Sequence, residues 1–163
     1  RDAMSWFVKE IFPIIVNKEP KAIMHIIGTN PPADVVEASV KDNRIKVHGF
    51  VPDVRPYMAR CSVYVVPIRV GGGTRLKIID AFAAGKAVVS TSVGCEGIEC
   101  KNNVHIQVAD SPESITDAVI ALFNDVEKRK NLERNARELV EQKYSWDIIG
   151  SRLRELYAEI TNE

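Results

Sequence analysis

Neither sign of charge is in excess in this chain: 22 basic residues stand against 22 acidic ones, for a formal net charge of zero. No global field steers nucleic acid or an anionic membrane toward such a surface, so any anion binding has to be local. Long apolar runs are lacking too. Nothing approaches the roughly 20 residues that a bilayer span requires, and no charged leader precedes an apolar core, which points to a soluble, cytoplasmic chain with no support for secretion. Cysteine is scarce and odd in number, at Cys61, Cys95 and Cys100, with no CxxC pair. That argues against a zinc site and for reduced thiols, with Cys61 read as a small buried hydrophobe. Internal repeats, low-complexity stretches and an interdomain linker are absent. No GxGxxG follows a strand with an acid about 20 residues on, which speaks against the dinucleotide oxidoreductases.

What is present is a sizeable apolar fraction, 45% of 163 residues, enough for one domain with its own core. Residues 2–17 carry Met4, Phe7, Val8, Ile11, Phe12, Ile14 and Ile15 at mostly helical spacing, predicting an amphipathic helix bent near Pro13. Short apolar runs at 22–28, 45–50, 63–68, 87–91 and 104–110 read as five strands, separated by helical or partly helical connections at 34–41, 52–61 and 74–84. Such alternation predicts an α/β fold, a doubly wound parallel sheet with right-handed crossovers. The last third reads as helix, opened by Ser111 as N-cap with Ser114 as a second cap. The first helix should cross over from a strand on its N-terminal side, usually the central one, so the expectation is a fragment that lacks that strand.

Residues 71–85, GGGTRLKIIDAFAAG, concentrate the chemistry. Glycines let backbone approach a ligand closely, and the free N–H groups that open a helix, backed by its dipole, form an anion site for phosphate. Asp80 stands among Leu76, Ile78, Ile79, Ala81, Phe82, Ala83 and Ala84, which predicts a largely buried helix and a carboxylate in need of a hydrogen-bond donor such as a sugar hydroxyl. Asp80 lies six positions after Thr74, roughly 9 Å of helix, a span that one ligand carrying phosphate and ribose covers. The loop also lies between two strands, where parallel α/β sheets place their ligands.

The block GFVPDVRPYMARCSVYVVPIRVGGGTRLKIIDAFAAGKAVVSTSVGCEGI, residues 49–98, resembles the donor-binding C-terminal domain of the group 1 type GT-B glycosyltransferases, and the likeness extends over most of the chain. It implies a Rossmann-like domain, one half of a two-domain enzyme. Its nucleotide-sugar donor would be held here, and its acceptor, a saccharide or lipid-linked glycan, by the N-terminal half. It further implies transfer with retention, no metal or other cofactor, and possible peripheral membrane attachment through the other domain. In that family two glutamates are separated by seven residues, and the second holds the ribose. That second position falls on Asp80; the first, which grips the transferred sugar, falls on Gly72. By the same resemblance Gly73, Thr74, Arg75 and Leu76 would present amides to diphosphate and sugar, Gly49, Phe50 and Val51 would line the base pocket, and Gly28 with Thr29 would form its floor. No catalytic residue is assigned, and the isolated chain is expected to be inactive.

Several side chains keep more than one reading. Arg75 and Lys77 point to different sides of the helix; either one contacts phosphate, or Lys77 pairs with Asp80. His25, His48 and His105 read as core or rim histidines in apolar strands. Glu96 reads as a surface residue after a strand, with ligand contact as the other option. EKRKNLERNAR is a solvated helical face because acids interleave its bases. Two other functions stay open: a non-catalytic nucleotide-binding or scaffold module, favoured by Gly72, and a nucleotide-sugar epimerase half, which would need a base facing the sugar.

Overall fold

The computed structural model describes residues 1–73 and 75–161. The chain opens with helices α1 (Asp2–Trp6) and α2 (Phe12–Lys18), joined without a break by one π-helical turn over Phe7–Ile11. Its widening is visible in the Phe12 N–H, which donates to the Phe7 carbonyl five residues back. The distortion therefore falls one turn ahead of Pro13 rather than at it. Proline has no N–H and its ring crowds the carbonyl four residues earlier, so the ladder is opened upstream. Phe7, Val8, Ile11, Phe12 and Ile15 form the buried stripe.

All five predicted strands exist but are shorter than their apolar runs: β1 (Met24–Ile27), β2 (Ile45–Gly49), β3 (Tyr64–Val66), β4 (Val88–Ser90) and β5 (Gln107–Val108). Of the run at 104–110 only two residues pair as a strand, because Lys101 to His105 turn back on themselves, with Val104 and His105 both donating to the Lys101 carbonyl. Helices α3 (Ala33–Lys41), α4 (Arg55–Arg60) and α5 (Leu76–Ala83) lie between the strands, and α6 (Pro112–Asn124), α7 (Val126–Lys143) and α8 (Trp146–Thr161) close the chain. The sequence reading of a helical C-terminal third holds. So does the cap: Ser111 accepts from the Ser114 N–H at 3.1 Å while Ser114 Oγ accepts from the Ser111 N–H at 3.0 Å, a reciprocal capping box.

Every strand pair is parallel, as the alternating pattern requires, but the strands form two ladders, β1-β2 and β3-β4-β5. Among the described residues β1 and β3 share no ladder. One apolar core nonetheless serves both, since Ile26 and Ile45 of the first sheet cluster with Ala87 and Val89 of the second and with Ile11, Ile15, Ile115 and Leu122 from the helices. A second cluster, built on Val66, Ile78, Phe82, Val88, Ile106 and Leu139, packs α5 and α7 against the other face. The three-stranded sheet is thus covered on both sides, the arrangement that lets parallel strands be apolar throughout.

Candidate functional site

The loops at the carboxyl ends of β1, β2 and β3 carry the predicted site residues. Gly28 donates its N–H to the Gly49 carbonyl at 2.8 Å, bringing together the two loops read as floor and wall of a base pocket. Both glycines have positive φ, 148° and 66°, which suits only a residue without Cβ. Thr29 and Phe50 are exposed, Phe50 to 75%, and Val51 is half-buried, so an aromatic face and backbone groups are open to a planar ligand here. Ile27 pairs with Gly49 while Ile26 pairs with Val47, so His48 bulges from β2. Its Nε2 lies 2.9 Å from His25 Nδ1, with ring planes 5° apart, and Tyr57 of α4 tilts against it at 4.7 Å. His25 is exposed and His48 half-buried, so neither is a core residue. His105 accepts from the Lys101 N–H and holds a turn.

Beyond β3 the chain is stitched tightly to β4. Ser90 Oγ donates to the Val66 carbonyl at 3.1 Å, Thr91 Oγ1 donates to that of Ile68, and Thr91 Oγ1 in turn accepts from the Gly94 N–H at 2.9 Å. Gly71, Gly72 and Gly73 then run exposed into α5, with φ of 144° at Gly71 and 83° at Gly73. Thr74, one of the predicted phosphate contacts, lies outside the described residues. Arg75 departs from a phosphate-facing role for its side chain. The residue is buried, at 8% exposure, and its guanidinium folds under the loop to donate to the carbonyls of Gly71 at 2.7 Å, Gly72 at 3.0 Å and Val93 at 3.4 Å. Its Nε meets no acceptor among the described residues. A planar fork with five donors is the one side chain suited to collecting three divergent carbonyls.

Helix α5 begins without a side-chain cap. The Ile78 N–H is already taken by the Arg75 carbonyl at 2.8 Å, whereas those of Leu76 and Lys77 meet no acceptor among the described residues. Asp80 corrects an expectation: it is exposed, not buried. The reason is the helical period, which puts Ile78, Ala81 and Phe82 on the core side and leaves Leu76 and Asp80, four apart, on the open face. Asp80 joins no ion pair or side-chain hydrogen bond among the described residues, so the alternative of a Lys77–Asp80 pair is not realised. Its charge is felt nearby: the Tyr64 phenol is held above its ordinary pKa first by burial and then by Asp80. Cys61, read as buried, is half-buried. Glu96 is exposed and unpaired among the described residues. What sequence reasoning missed is the brace: burial of Arg75 had no signal beyond an arginine two residues after a glycine run.

The glycosyl transferases group 1 family model matches residues 1–125. An uncharacterized glycosyltransferase of Methanocaldococcus jannaschii is 29% identical over 113 residues, 68% of this chain and 31% of that protein. A 44.6 kDa protein of the cps region of Klebsiella pneumoniae is 22% identical over 147 residues, 85% of this chain and 38% of its own. The chain therefore spans about a third of the length of the curated relatives it matches. Among solved structures, the C-terminal domain of a Francisella tularensis glycosyl transferase group 1 protein superposes with a TM-score of 0.77 at 22% identity, over 90% of this chain and 82% of that one. The Anabaena protein HepE, crystallised in complex with UDP-glucose, does so with a TM-score of 0.80 at 17% identity, over 94% of this chain and 46% of its own. Among the described residues no helix is long and apolar enough to cross a membrane. The parallel α/β ladders, the glycine loop feeding an uncapped helix and the family match converge: this chain belongs to the group 1 glycosyl transferases, with the Rossmann-like fold of their GT-B C-terminal domains.

Proposed function

We propose that this chain is the donor-binding part of a transferase that moves a sugar from a nucleoside diphosphate to an acceptor hydroxyl. The observation that carries the reading is the start of α5, where the Leu76 and Lys77 N–H groups meet no acceptor among the described residues, with Asp80 one turn further on the same open face. Diphosphate charge grows as the sugar leaves, and the amides that the resemblance assigns to it, those of Gly73, Thr74, Arg75 and Leu76, stabilise that charge in the transition state, backed by the helix dipole. In this proposal no resident metal is needed, because the loop's own donors meet the leaving group. Asp80, unpaired and exposed, accepts from the ribose hydroxyls. Phe50 covers the base, and Gly28, Thr29, Gly49 and Val51 shape the pocket around it. Complexes of HepE with UDP and UDP-glucose support a nucleotide-sugar as the ligand class.

Retention, and an acceptor held by a second domain, belong to the same proposal. The acceptor half would complete the cleft, and the edges of β1 and β3, unpaired among the described residues over a shared core, accord with a further strand between them. Chemistry then needs both halves, and the 163-residue chain alone binds donor without turnover. Calorimetric titration with UDP, GDP, ADP and their sugars tests this. Saturable binding that weakens in Asp80→Ala is expected; a folded chain that binds none of them overturns the reading and leaves a scaffold module, the alternative that Gly72 favours. Measurable sugar transfer by the chain alone would contradict the two-half requirement.

A further inference from the structure

Lys77 has no task in the donor reading, although its position is a demanding one. It is the second residue of α5, it is exposed, and it joins no ion pair among the described residues. A cation in the first turn faces the positive end of the helix dipole, and α5 has no acid in that turn to offset it. Asp80, three positions on and a neighbour on the helix surface, does not pair with it. A second positive charge lies under the same loop. Among the described residues the Arg75 guanidinium bonds only to carbonyls, those of Gly71, Gly72 and Val93, and its Nε has no acceptor. A buried cation without a carboxylate is a costly arrangement unless an anion completes it.

Helix geometry says where Lys77 reaches. Helical side chains lean toward the N-terminus and cover the turn ahead of their own Cα, so the Lys77 stem runs back toward the glycine loop, away from Asp80. Given ribose at Asp80, the donor reading on which this inference rests, the phosphate bonded to ribose comes first and the second phosphate lies nearer that loop. We propose that Lys77 binds this second phosphate directly, from the solvent side, while Arg75 acts on it from beneath through the loop it braces. Lys77 is then a specificity-determining residue, which makes the site prefer nucleoside diphosphates to nucleoside monophosphates. One phosphate offsets the charges of Lys77, of Arg75 and of the helix end together, so an arrangement that is repulsive without an anion is attractive around one.

Calorimetric titration of the 163-residue chain with UDP, GDP and ADP, each beside its monophosphate, tests this. For the diphosphate that binds, Lys77→Ala should lower affinity about tenfold, the loss of one bond to a charged group, while the monophosphate should change less than about threefold. Lys77→Arg, which keeps the charge, should hold the diphosphate within about threefold. A measurement on the unmodified chain needs no variant to fold. The diphosphate should shield Lys77 from acetic anhydride, read by peptide mass mapping, whereas Lys86, tied to the Ala59 carbonyl at 3.2 Å, should react equally with and without it. Equal weakening of diphosphate and monophosphate, no weakening in Lys77→Ala, or Lys77 acetylated as fast under saturating diphosphate would each overturn the inference and leave the donor reading in place. A folded chain that binds none of the nucleotides would overturn both.

Discussion

Arg75 reaches back four residues and donates to the carbonyl of Gly71 at 2.7 Å, bracing from beneath the loop that the proposed diphosphate would meet from above. Its other nitrogen spans to Gly72, and a longer bond ties in Val93 from the turn after β4. Glycines at positive φ are conformationally free in the unfolded chain, so a fixed loop needs such a brace. Arg75→Ala removes three charge-assisted bonds while the exposed glycine carbonyls can rehydrate. We expect a loss of about 2–3 kcal/mol in stability by urea unfolding. Arg75→Lys should recover only a minor part, because a compact ammonium lacks the guanidinium's fixed fork of donors. Equal stability of Arg75→Ala and the unmodified chain would show the brace to be idle.

Asp80→Ala removes an exposed side chain without a protein partner, so its stability effect should stay within about 0.5 kcal/mol. Donor affinity, by contrast, should fall about tenfold, the loss of a charge-assisted bond to ribose. A second readout needs no ligand. Since Asp80 helps hold the Tyr64 pKa up, Asp80→Asn should lower it, measured as a shift of the phenolate absorbance titration toward neutral pH. An unmoved titration would separate the two side chains; unmoved affinity would move the ribose elsewhere.

Order and type of the elements were legible because each obeys a local rule. The 3.6-residue stripe of Phe7, Ile11 and Ile15, the Ser111–Ser114 box and the β-branched runs of β3 and β4 are all written in neighbouring residues. Strand ends were not, since pairing depends on a partner: His105 lies in an apolar run yet turns, because its ring accepts from Lys101 instead of extending β5. Asp80 was misjudged as buried because composition counts neighbours along the chain, whereas burial follows the helix face. Arg75 was illegible for the same physical reason: its partners are loop carbonyls brought round by turns, and no periodicity encodes them.

The His25–His48 bond fixes a pH dependence. One proton serves the bond, so one ring must accept as neutral imidazole, and a second proton sets two N–H groups against each other. Burial first, then the His48 and Lys46 charges, lowers the His25 pKa below its ordinary 6.5. The unfolded chain therefore takes up protons at a higher pH than the folded one. Stability is full above about pH 6.5 and declines as pH falls through the lowered folded value. His105, lowered by burial and by Lys101 and Lys143, adds in the same direction. Urea midpoints measured from pH 7.5 to 5 should fall, and His25→Gln should flatten part of that slope. Carboxylates such as Asp42, held low by Arg44, act in a more acidic window and do not mask it. A flat profile in the unmodified chain would refute the coupling.

Gly94 is a packing requirement. A Cβ there would run into Ser90 Oγ, sit 2.8 Å from the Val66 carbonyl and 2.9 Å from Thr91 Oγ1. Those are the atoms that stitch β4 to the chain leaving β3, so they cannot yield without giving up their own bonds. Gly94→Ala should cost about 2–3 kcal/mol, an overpacking penalty near the top of its range. An unfolding midpoint unchanged by that substitution would mean the stitched segment gives way easily.

Gly72 is the opposite case, and it tests the departure from the family's paired acids. A Cβ at this position meets nothing within 4 Å, and its φ is not in the left-handed region that confines Gly71 and Gly73. Glutamate should fit there with stability preserved to within about 0.5 kcal/mol. Eight positions ahead of Asp80 on an exposed loop, its carboxylate would stand where the resemblance places the group that grips the transferred sugar. Gly72→Glu should leave UDP affinity nearly unchanged, since the added charge addresses the hexose and not the nucleotide. Affinity for UDP-glucose should rise about tenfold relative to UDP, the worth of one hydrogen bond to a charged group. If both ligands weaken together, the new carboxylate is repelling diphosphate, and the loop is arranged around a phosphate at Gly72 itself. If the ratio does not move, the sugar is oriented by backbone amides alone, and glycine at this position is a working part of the donor site.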